Sequence, residues 1–267
     1  MQGAVRRRHG GLFRAGLTLA RQPQIDDLSH GATLPAIVGT EKDPPMSQTI
    51  TLTASDGHTL SAYSAGPADA SRALVVVQEI FGVNHHIRTV ADAFAAEGYR
   101  VIAPALFDRA ERGVELAYDQ EGVQKGLKLR AAIPPEDTLL DIVAAARALG
   151  LEPAHTGIIG YCWGGTLAWQ AACRTDSFGA AVGWYGAGIA AERNLLPRCP
   201  VELHFGETDG SIPLSDIAAI RAAHPDLLIY IYPDAGHGFG CSERASFNAP
   251  AAELAQTRSL AFFDRQL

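Results

Sequence analysis

Short apolar runs and amphipathic stretches alternate along most of the chain. The valine-rich run from Ala73 to Val77 predicts a buried strand. The stretch from Arg88 to Glu97 has apolar residues at helical spacing and is closed by Gly98, so it predicts a helix. The run from Tyr99 to Ala103 predicts a second strand. The same alternation predicts strands at residues 156–160, 180–184, 201–205 and 228–232, and helices at 134–149, 164–173, 213–223 and 251–263.

The order of these elements indicates the fold class. Strands that are apolar on both faces and alternate with helices are typical of a mostly parallel sheet covered on two sides. The segment from Thr49 to Ser64, with its Asp56-Gly57 turn, predicts an antiparallel hairpin at one edge of that sheet. We therefore predict an α/β fold with a mostly parallel central sheet, helices on both faces and an antiparallel N-terminal edge hairpin.

The first 45 residues differ from the rest of the chain. They contain the basic run Arg6-Arg7-Arg8 and a weakly apolar stretch interrupted by Arg14, without a clean small-residue cleavage site. This pattern fits a disordered extension better than a targeting peptide. Met46 directly precedes the first strand pattern and is an alternative start of translation. We expect residues 1–45 to be an extension and residues 46–267 to form the domain.

Composition excludes several classes of protein. Hydrophobic residues make up 47% of the 267 residues and charged residues 19%, which argues against disorder. The net charge of −7 argues against nucleic acid as a partner, because nucleic-acid binding needs a concentrated basic face. No apolar stretch approaches the ~18 residues of a membrane span, so we expect no membrane association.

The cysteines and histidines give no sign of a metal site. Four cysteines stand far apart without a C-x-x-C pair, which argues against a disulfide scaffold and a cysteine-type zinc site. His85 and His86 are adjacent and cannot both chelate from one helix face, so they fit a polar loop or a helix start. We expect no metal, no cofactor and a reducing compartment, with the cytoplasm as the simplest location. The cysteines are Cys162, Cys173, Cys199 and Cys241.

A candidate nucleophile lies between a predicted strand and a predicted helix. The sequence Gly160-Tyr161-Cys162-Trp163-Gly164-Gly165 is the G-x-nucleophile-x-G pattern, with cysteine in place of serine. Such a turn lifts the nucleophile above the sheet and aims the N-terminus of the next helix at the sulfur, which favours a thiolate. It also makes the backbone N–H of Trp163 an oxyanion donor.

The motif has two other interpretations. A phosphate-binding glycine loop is disfavoured, because G-x-G-x-x-G and the acidic residue expected about 20 positions later are missing. Cys162 could instead be a small buried core residue, which is the usual place of a free cysteine.

Two later loops offer partners for Cys162 in the chain order nucleophile, acid, histidine. Asp209 follows the strand at 201–205, and His237 lies between glycines after the last strand. Both lie beyond the carboxyl ends of strands, where open α/β sheets build their sites. Glu207 and Asp234 compete with Asp209 as the acid. Asp209 could also be an ordinary turn residue, and His237 a surface histidine.

Over residues 48–266 the chain resembles the dienelactone hydrolase family (carboxymethylenebutenolidases), a branch of the α/β-hydrolases with a Cys-Asp-His triad. The resemblance implies that Cys162 is the nucleophile, His237 the general base and acid, and Asp209 its orienting carboxylate. Four motifs in the right order carry it: Gln78-Glu79-Ile80-Phe81-Gly82, Gly160-Tyr161-Cys162-Trp163-Gly164-Gly165, Gly206-Glu207-Thr208-Asp209 and Ala235-Gly236-His237-Gly238-Phe239.

The resemblance also implies roles for the segment after the first buried strand. Glu79 matches the family glutamate that contacts the resting thiol and swings away when substrate binds. A carboxylate beside the sulfur disfavours the thiolate and so protects it from oxidation. The backbone N–H of Ile80 would be the second oxyanion donor. The alternative for Glu79 is a solvated charge at the end of a strand.

The chain departs from the family pattern at the substrate-binding arginines. The family arginine four residues after the histidine is replaced by Cys241, and Arg244 lies three residues further on. For the second arginine, Arg109 is the candidate we select from the basic residues of its region. Each of these arginines could equally be a solvated surface charge. Trp163 and Trp184 could line the pocket or pack in the core. The unselected basic residues are Arg112, Lys125 and Lys128.

The function implied by the resemblance is hydrolysis of a small ester or lactone, with an enol lactone of the dienelactone type as substrate. A broader carboxylesterase or thioesterase would share the triad and differ in the pocket. A ligand-binding protein without activity on the same scaffold is the third possibility. We expect a small-molecule substrate as partner, and a monomer or a homodimer.

A chain that starts at Met46 should keep the hydrolytic activity that the resemblance implies, because residues 1–45 contribute to none of the four motifs. The measurement is kcat/KM of the full and shortened chains with the same activated ester. A large loss in the shortened chain would show that the first 45 residues pack against the domain.

Overall fold

A computed structural model describes residues 47–267. The predicted extension at residues 1–45 and the alternative start at Met46 lie outside the described residues. Eight strands and six α-helices make up the described part. The strands are β1 (Gln48–Thr53), β2 (Thr59–Ala65), β3 (Ala73–Val77), β4 (Arg100–Pro104), β5 (Thr156–Tyr161), β6 (Ala180–Trp184), β7 (Val201–Gly206) and β8 (Leu228–Tyr232). The helices are α1 (His85–Ala96), α2 (Gln120–Ala132), α3 (Pro135–Leu149), α4 (Trp163–Arg174), α5 (Leu214–Ala223) and α6 (Ala249–Gln266).

All eight strands form one sheet in the order β1-β2-β4-β3-β5-β6-β7-β8. Strand β2 pairs antiparallel with both β1 and β4, whereas the six strands β3 to β8 are parallel to one another. The β1–β2 hairpin pairs Thr53 with Thr59 around the Asp56-Gly57 turn. The predicted α/β fold, with its mostly parallel sheet and antiparallel edge hairpin, is confirmed.

Helices cover both faces of the sheet. Side chains alternate between the two faces of a strand, so positions three apart point to opposite faces. Gly157 and Gly160 of β5 therefore show which helix lies on each face. A Cβ at Gly157 would meet Phe263 of α6, whereas a Cβ at Gly160 would meet the backbone of Gly164 in α4. Helix α1 packs beside α6 through Phe94 and Phe263, whose ring centroids are 6.3 Å apart. The apolar strands β3, β5, β6 and β7 are therefore buried on both sides.

Helix α2 was missed by the sequence analysis, and α1 begins one turn earlier than predicted. Helix α2 contains two glycines and buries only Gly122, Gly126 and Leu129, so its apolar stripe is too thin to be recognised. Asp119 caps it by accepting a hydrogen bond from the N–H of Gly122. Helix α1 starts at His85, as the interpretation of the histidine pair as a helix start expected.

Two glycines allow α4 to start directly on top of the sheet. A Cβ at Gly160 would lie 1.9 Å from the carbonyl oxygen of Gly164. A Cβ at Gly164 would lie 2.3 Å from the carbonyl oxygen of Val77 in β3. No side chain fits at either position, so the sharp turn between β5 and α4 requires glycine on both sides of Cys162.

For residues 47–267, none of the helices has both the length and the apolar character that crossing a bilayer would require.

Candidate active site

Cys162 occupies the turn between β5 and α4 in a strained backbone conformation. Its φ of 55° and ψ of −113° lie in a region that L-residues rarely adopt and that costs about 1–3 kcal/mol. Its N–H donates to the carbonyl oxygen of Trp184 at 3.0 Å, which fixes the turn to β6. The next residue, Trp163, begins α4. The sulfur therefore lies at the N-terminus of a helix, where the helix dipole favours negative charge.

His237 and Asp209 meet Cys162 above the carboxyl ends of the parallel strands. The Nε2 atom of His237 lies 3.1 Å from the Sγ atom of Cys162. The Nδ1 atom of His237 lies 2.8 Å from Oδ2 of Asp209. The other carboxylate oxygen of Asp209 accepts a hydrogen bond from the N–H of Ser211 at 2.8 Å, so this carboxylate is held from both sides. The three residues form one continuous chain of contacts.

The competing acids lie outside this chain of contacts. Asp209 is buried, with 4% of its surface exposed, whereas Glu207 and Asp234 are exposed to solvent. The geometry therefore favours Asp209 as the partner of His237. Sequence reasoning could not separate the three acids, because all three lie in loops after strands.

The surroundings of His237 favour its protonated form. Burial lowers the pKa of the ring, but the hydrogen bonds to Asp209 and Cys162 outweigh burial and raise the pKa above its ordinary value. An imidazolium 3.1 Å from the sulfur is the partner that stabilises a thiolate. The ring of Tyr185 packs edge-on against His237 at a centroid distance of 5.3 Å and limits its rotation.

Ile80 and Trp163 were expected to supply backbone N–H groups to this centre. Among residues 47–267 neither N–H has a backbone acceptor. The segment of Ile80 is held in place on both sides: Gln78 accepts a hydrogen bond from the N–H of Leu106 at 3.1 Å, and the carbonyl of Phe81 accepts one from Leu116 at 2.9 Å. Trp163 is fixed by stacking on Phe107. The two groups are thus available as oxyanion donors.

Helix α2, which the sequence analysis missed, supports the same segment. A Cβ at Gly126 would lie 2.0 Å from the carbonyl oxygen of Ile80. This glycine therefore lets α2 pack directly against the peptide that carries one of the expected oxyanion donors.

Glu79 lies beside the triad but does not contact the thiol. It is fully buried, and its two oxygens are 3.1 Å from the hydroxyl of Tyr118 and 3.2 Å from Nη1 of Arg244. No hydrogen bond joins Glu79 to Cys162, whose sulfur faces His237 instead. In this structure the sulfur pairs with His237, and the contact of Glu79 with the resting thiol stays a prediction. The guanidinium of Arg244 and the phenol of Tyr118 satisfy the carboxylate and hold it.

Tyr118 is a site residue that sequence reasoning missed. Its ring packs against Phe81 at a centroid distance of 4.5 Å, and the guanidinium of Arg244 lies over both rings at 5.6 and 5.7 Å. Burial and the charge of Glu79 raise the pKa of the Tyr118 phenol, so its hydroxyl remains a donor. Tyr118 lies in the irregular segment before α2, where no motif or periodicity marks it.

Of the expected substrate-binding residues, the structure brings only Arg244 to the triad. Arg109 instead makes a bidentate pair with buried Asp141, at 2.7 and 2.8 Å, and a second pair with Asp56 at 2.8 Å. Its side chain is 8% exposed, so these carboxylates already use its donors. The expectation for Arg109 is corrected: it ties the turn of the edge hairpin to α3.

Trp184 belongs to the core rather than to a pocket wall. Its ring stacks on Phe239 at a centroid distance of 5.4 Å, and its Nε1–H donates to the hydroxyl of Ser259 in α6 at 3.2 Å. The side chain is buried. The alternative of core packing applies to Trp184, and the expectation of a substrate contact is corrected.

Comparison with known proteins identifies the family. The profile described as "Dienelactone hydrolase family" matches residues 60–267. The "Putative carboxymethylenebutenolidase" of Synechocystis sp. is 35% identical over 228 residues, which cover 78% of this chain and 92% of the relative. The carboxymethylenebutenolidase of Pseudomonas putida is 32% identical over 227 residues, which cover 81% and 96%.

A solved structure agrees with these sequence matches. The crystal structure of the "Putative Dienelactone Hydrolase" of Klebsiella pneumoniae has a TM-score of 0.70 and 30% identity, and the match covers 82% of this chain and 99% of that one. Its coverage shows that the likeness extends over the whole sheet and its helices. Together with the profile match, this establishes that the chain belongs to the dienelactone hydrolase family, as its four motifs predicted.

Proposed function

We propose that this protein hydrolyses small esters and lactones through a thioester acyl-enzyme on Cys162. The observation that carries the proposal is the 3.1 Å separation between the Cys162 sulfur and His237 at a strained strand-to-helix turn. Asp209 acts as the orienting carboxylate, and the N–H groups of Ile80 and Trp163 act as the oxyanion hole.

The reaction runs in two halves. The Cys162 sulfur attacks the carbonyl carbon, and the carbonyl electron pair moves to the oxygen, where the two N–H groups stabilise it. Collapse of this intermediate breaks the C–O bond, and the leaving oxygen takes the proton of the His237 imidazolium. His237 then removes a proton from water, and the hydroxide attacks the thioester. Breakage of the C–S bond releases the acid and restores the sulfur.

The nature of the nucleophile favours an activated substrate. A thiolate attacks activated esters readily but expels poor leaving groups badly, because the sulfur is itself the better leaving group. The enolate of an enol lactone is a good leaving group, and it stays attached to the acyl part when the ring opens. We therefore propose an enol lactone of the dienelactone type, with a small activated ester as the second candidate.

Arg244 is the residue that we propose for binding a substrate carboxylate. Its guanidinium is partly buried beside the triad, at 20% exposure of the side chain, and its Glu79 partner occupies one donor at 3.2 Å. A substrate carboxylate can pair with the remaining donors of the planar fork. Arg244 would then take the place of the family arginine that Cys241 replaces.

The proposed acyl-enzyme can be trapped by mass spectrometry. After rapid acid quenching of a reaction with a lactone panel, the peptide that contains Cys162 should carry the mass of the opened lactone. Cys162→Ala should carry none and lose turnover, and Cys162→Ser should keep little turnover. Cys199→Ala is the matched control and should behave like the parent protein.

Two outcomes would contradict the assignment of Cys162, and two others would change the proposed activity. Normal turnover by Cys162→Ala would show that Cys162 is not the nucleophile. So would finding the mass of the opened lactone on another residue. Tight binding of the lactones by the parent protein without any turnover would instead support a ligand-binding protein. Turnover of p-nitrophenyl esters without turnover of cis- or trans-dienelactone would favour the broader esterase.

Asp209→Asn should lower kcat by a factor on the order of 10³–10⁴, because the amide favours the wrong tautomer of His237. Glu207→Gln is the control and should change kcat little, because Glu207 is exposed and Asp209 is the acid that contacts the imidazole. Both variants are measured with one activated ester. A larger loss in Glu207→Gln than in Asp209→Asn would reverse the assignment of the acid.

Arg244→Gln should lower kcat/KM for a carboxylate-bearing lactone roughly 10- to 100-fold more than for a neutral ester, because a hydrogen bond between charged groups is worth about 1.5–3 kcal/mol. Loss of the cation that pairs with Glu79 would affect both substrates alike. The ratio of kcat/KM for the carboxylate-bearing lactone to kcat/KM for the neutral ester therefore reports only on binding of the carboxylate. Arg112→Gln, an exposed arginine, is the control. An unchanged ratio would exclude Arg244 as the carboxylate-binding residue.

A further inference from the structure

A second group of buried polar side chains shares Glu79 with Tyr118 and Arg244, and its other two members have no role in the proposed reaction. One ligand-type atom each of Glu79, His86 and Cys241 lie within 4.8 Å of one another. All three residues are buried, with exposed fractions of 0%, 4% and 0%. Glu79 follows β3, His86 is in the first turn of α1, and Cys241 lies in the loop after His237. Three separate parts of the chain thus bring a carboxylate, an imidazole and a thiol together.

His86 is the member of this group that lacks a partner. Its Nε2 atom is buried and has no hydrogen-bond partner among residues 47–267. The ring is enclosed by the edges of Tyr118 and Tyr161, at centroid distances of 6.4 and 6.3 Å. A buried nitrogen that is left unpaired costs about 1–3 kcal/mol, so such an atom calls for an explanation.

The state of the imidazole suits a metal ligand. Burial lowers the pKa of His86 below its ordinary value, although the charge of Glu79 opposes this. The ring is therefore neutral at neutral pH and has one nitrogen with a free lone pair. Neutral imidazole is the form of histidine that binds metals.

We propose that Glu79, His86 and Cys241 form a binding site for one divalent cation of the zinc class. Carboxylate oxygen, imidazole nitrogen and thiolate sulfur are the three ligand types of zinc sites, and three protein ligands leave a fourth position for water. Zinc prefers ligand distances of about 2.0–2.3 Å in a tetrahedron, so three atoms that lie within 4.8 Å of one another have to draw together to bind it. The site shares Glu79 with Arg244, but it includes none of Cys162, His237 and Asp209.

Binding at this site has two consequences that distinguish it from a chance contact. The Cys241 thiol must release one proton as the sulfur–metal bond forms. Because binding releases this proton, the affinity should rise as pH rises. The cation also competes with the guanidinium of Arg244 for the same carboxylate, since Arg244 lies 3.2 Å from Glu79.

Cobalt(II) is the probe that tests the site, because a cobalt–thiolate bond gives a charge-transfer band in the near ultraviolet. The full-length Cys162→Ala protein is used, so that the sulfur of the triad cannot contribute. We expect one equivalent of Co²⁺ to produce the band, Zn²⁺ to displace it, and its apparent affinity to increase with pH. Adding Cys241→Ala should abolish the band, whereas adding Cys199→Ala should leave it unchanged.

A second variant keeps the test decisive if Cys241→Ala fails to fold, which circular dichroism and thermal unfolding would show. His86→Gln in the Cys162→Ala protein should weaken Co²⁺ binding more than about 100-fold, because losing a mere supporting contact costs about 10- to 100-fold. No thiolate band in Cys162→Ala would overturn the proposal. So would a band that persists without Cys241, or an affinity unaffected by His86→Gln.

Discussion

The contact between the Cys162 sulfur and the His237 imidazole depends on a backbone turn that the surrounding packing has to hold in place. Cys162 has a positive φ, and no local hydrogen bond of its side chain compensates for that strain. The close approach of Gly160 to Gly164, and of Gly164 to Val77, holds the start of α4 against β5 and β3. Because β3 also leads into the Glu79–Ile80 segment, the same packing positions the nucleophile and one of the proposed oxyanion donors. Local strain at a site is stable only where the surrounding structure over-determines it.

Glu79 connects the two groups of polar residues at this end of the sheet. It is a fully buried carboxylate, which is costly unless charge and hydrogen bonds compensate for lost hydration. Arg244 supplies the charge and Tyr118 a hydrogen bond. This arrangement differs from the resting contact that the family resemblance implies, in which the glutamate reaches the thiol. Here Arg244 lies seven residues after His237 and contacts Glu79, and Cys241 lies four residues after His237, close to the same carboxylate.

Local patterns in the sequence were sufficient for the fold and for the order of the site motifs. Buried parallel strands are nearly continuous apolar runs, and Gly98 and Gly150 mark the ends of α1 and α3, so most elements from Ala73 to Tyr232 could be recognised individually. Helix α2 could not, because it buries little and contains Gly122 and Gly126. The glycine-flanked Cys162 and the loop histidine also carry a local signal, since a sharp turn imposes its own residue types.

What only the tertiary structure decided is which side chains become partners. The sequence determined that a cysteine, an acid and a histidine follow strands β5, β7 and β8, but Asp209, Glu207 and Asp234 are equivalent at that level. Burial and a 2.8 Å contact separate Asp209 from the others. In the same way, Arg109 and Arg244 are both arginines near expected positions, yet one pairs with Asp141 and the other with Glu79. Long side chains reach partners that are far away in sequence. Which carboxylate an arginine pairs with depends on distances in the folded chain and on which carboxylates are buried, and no local pattern of residues encodes either.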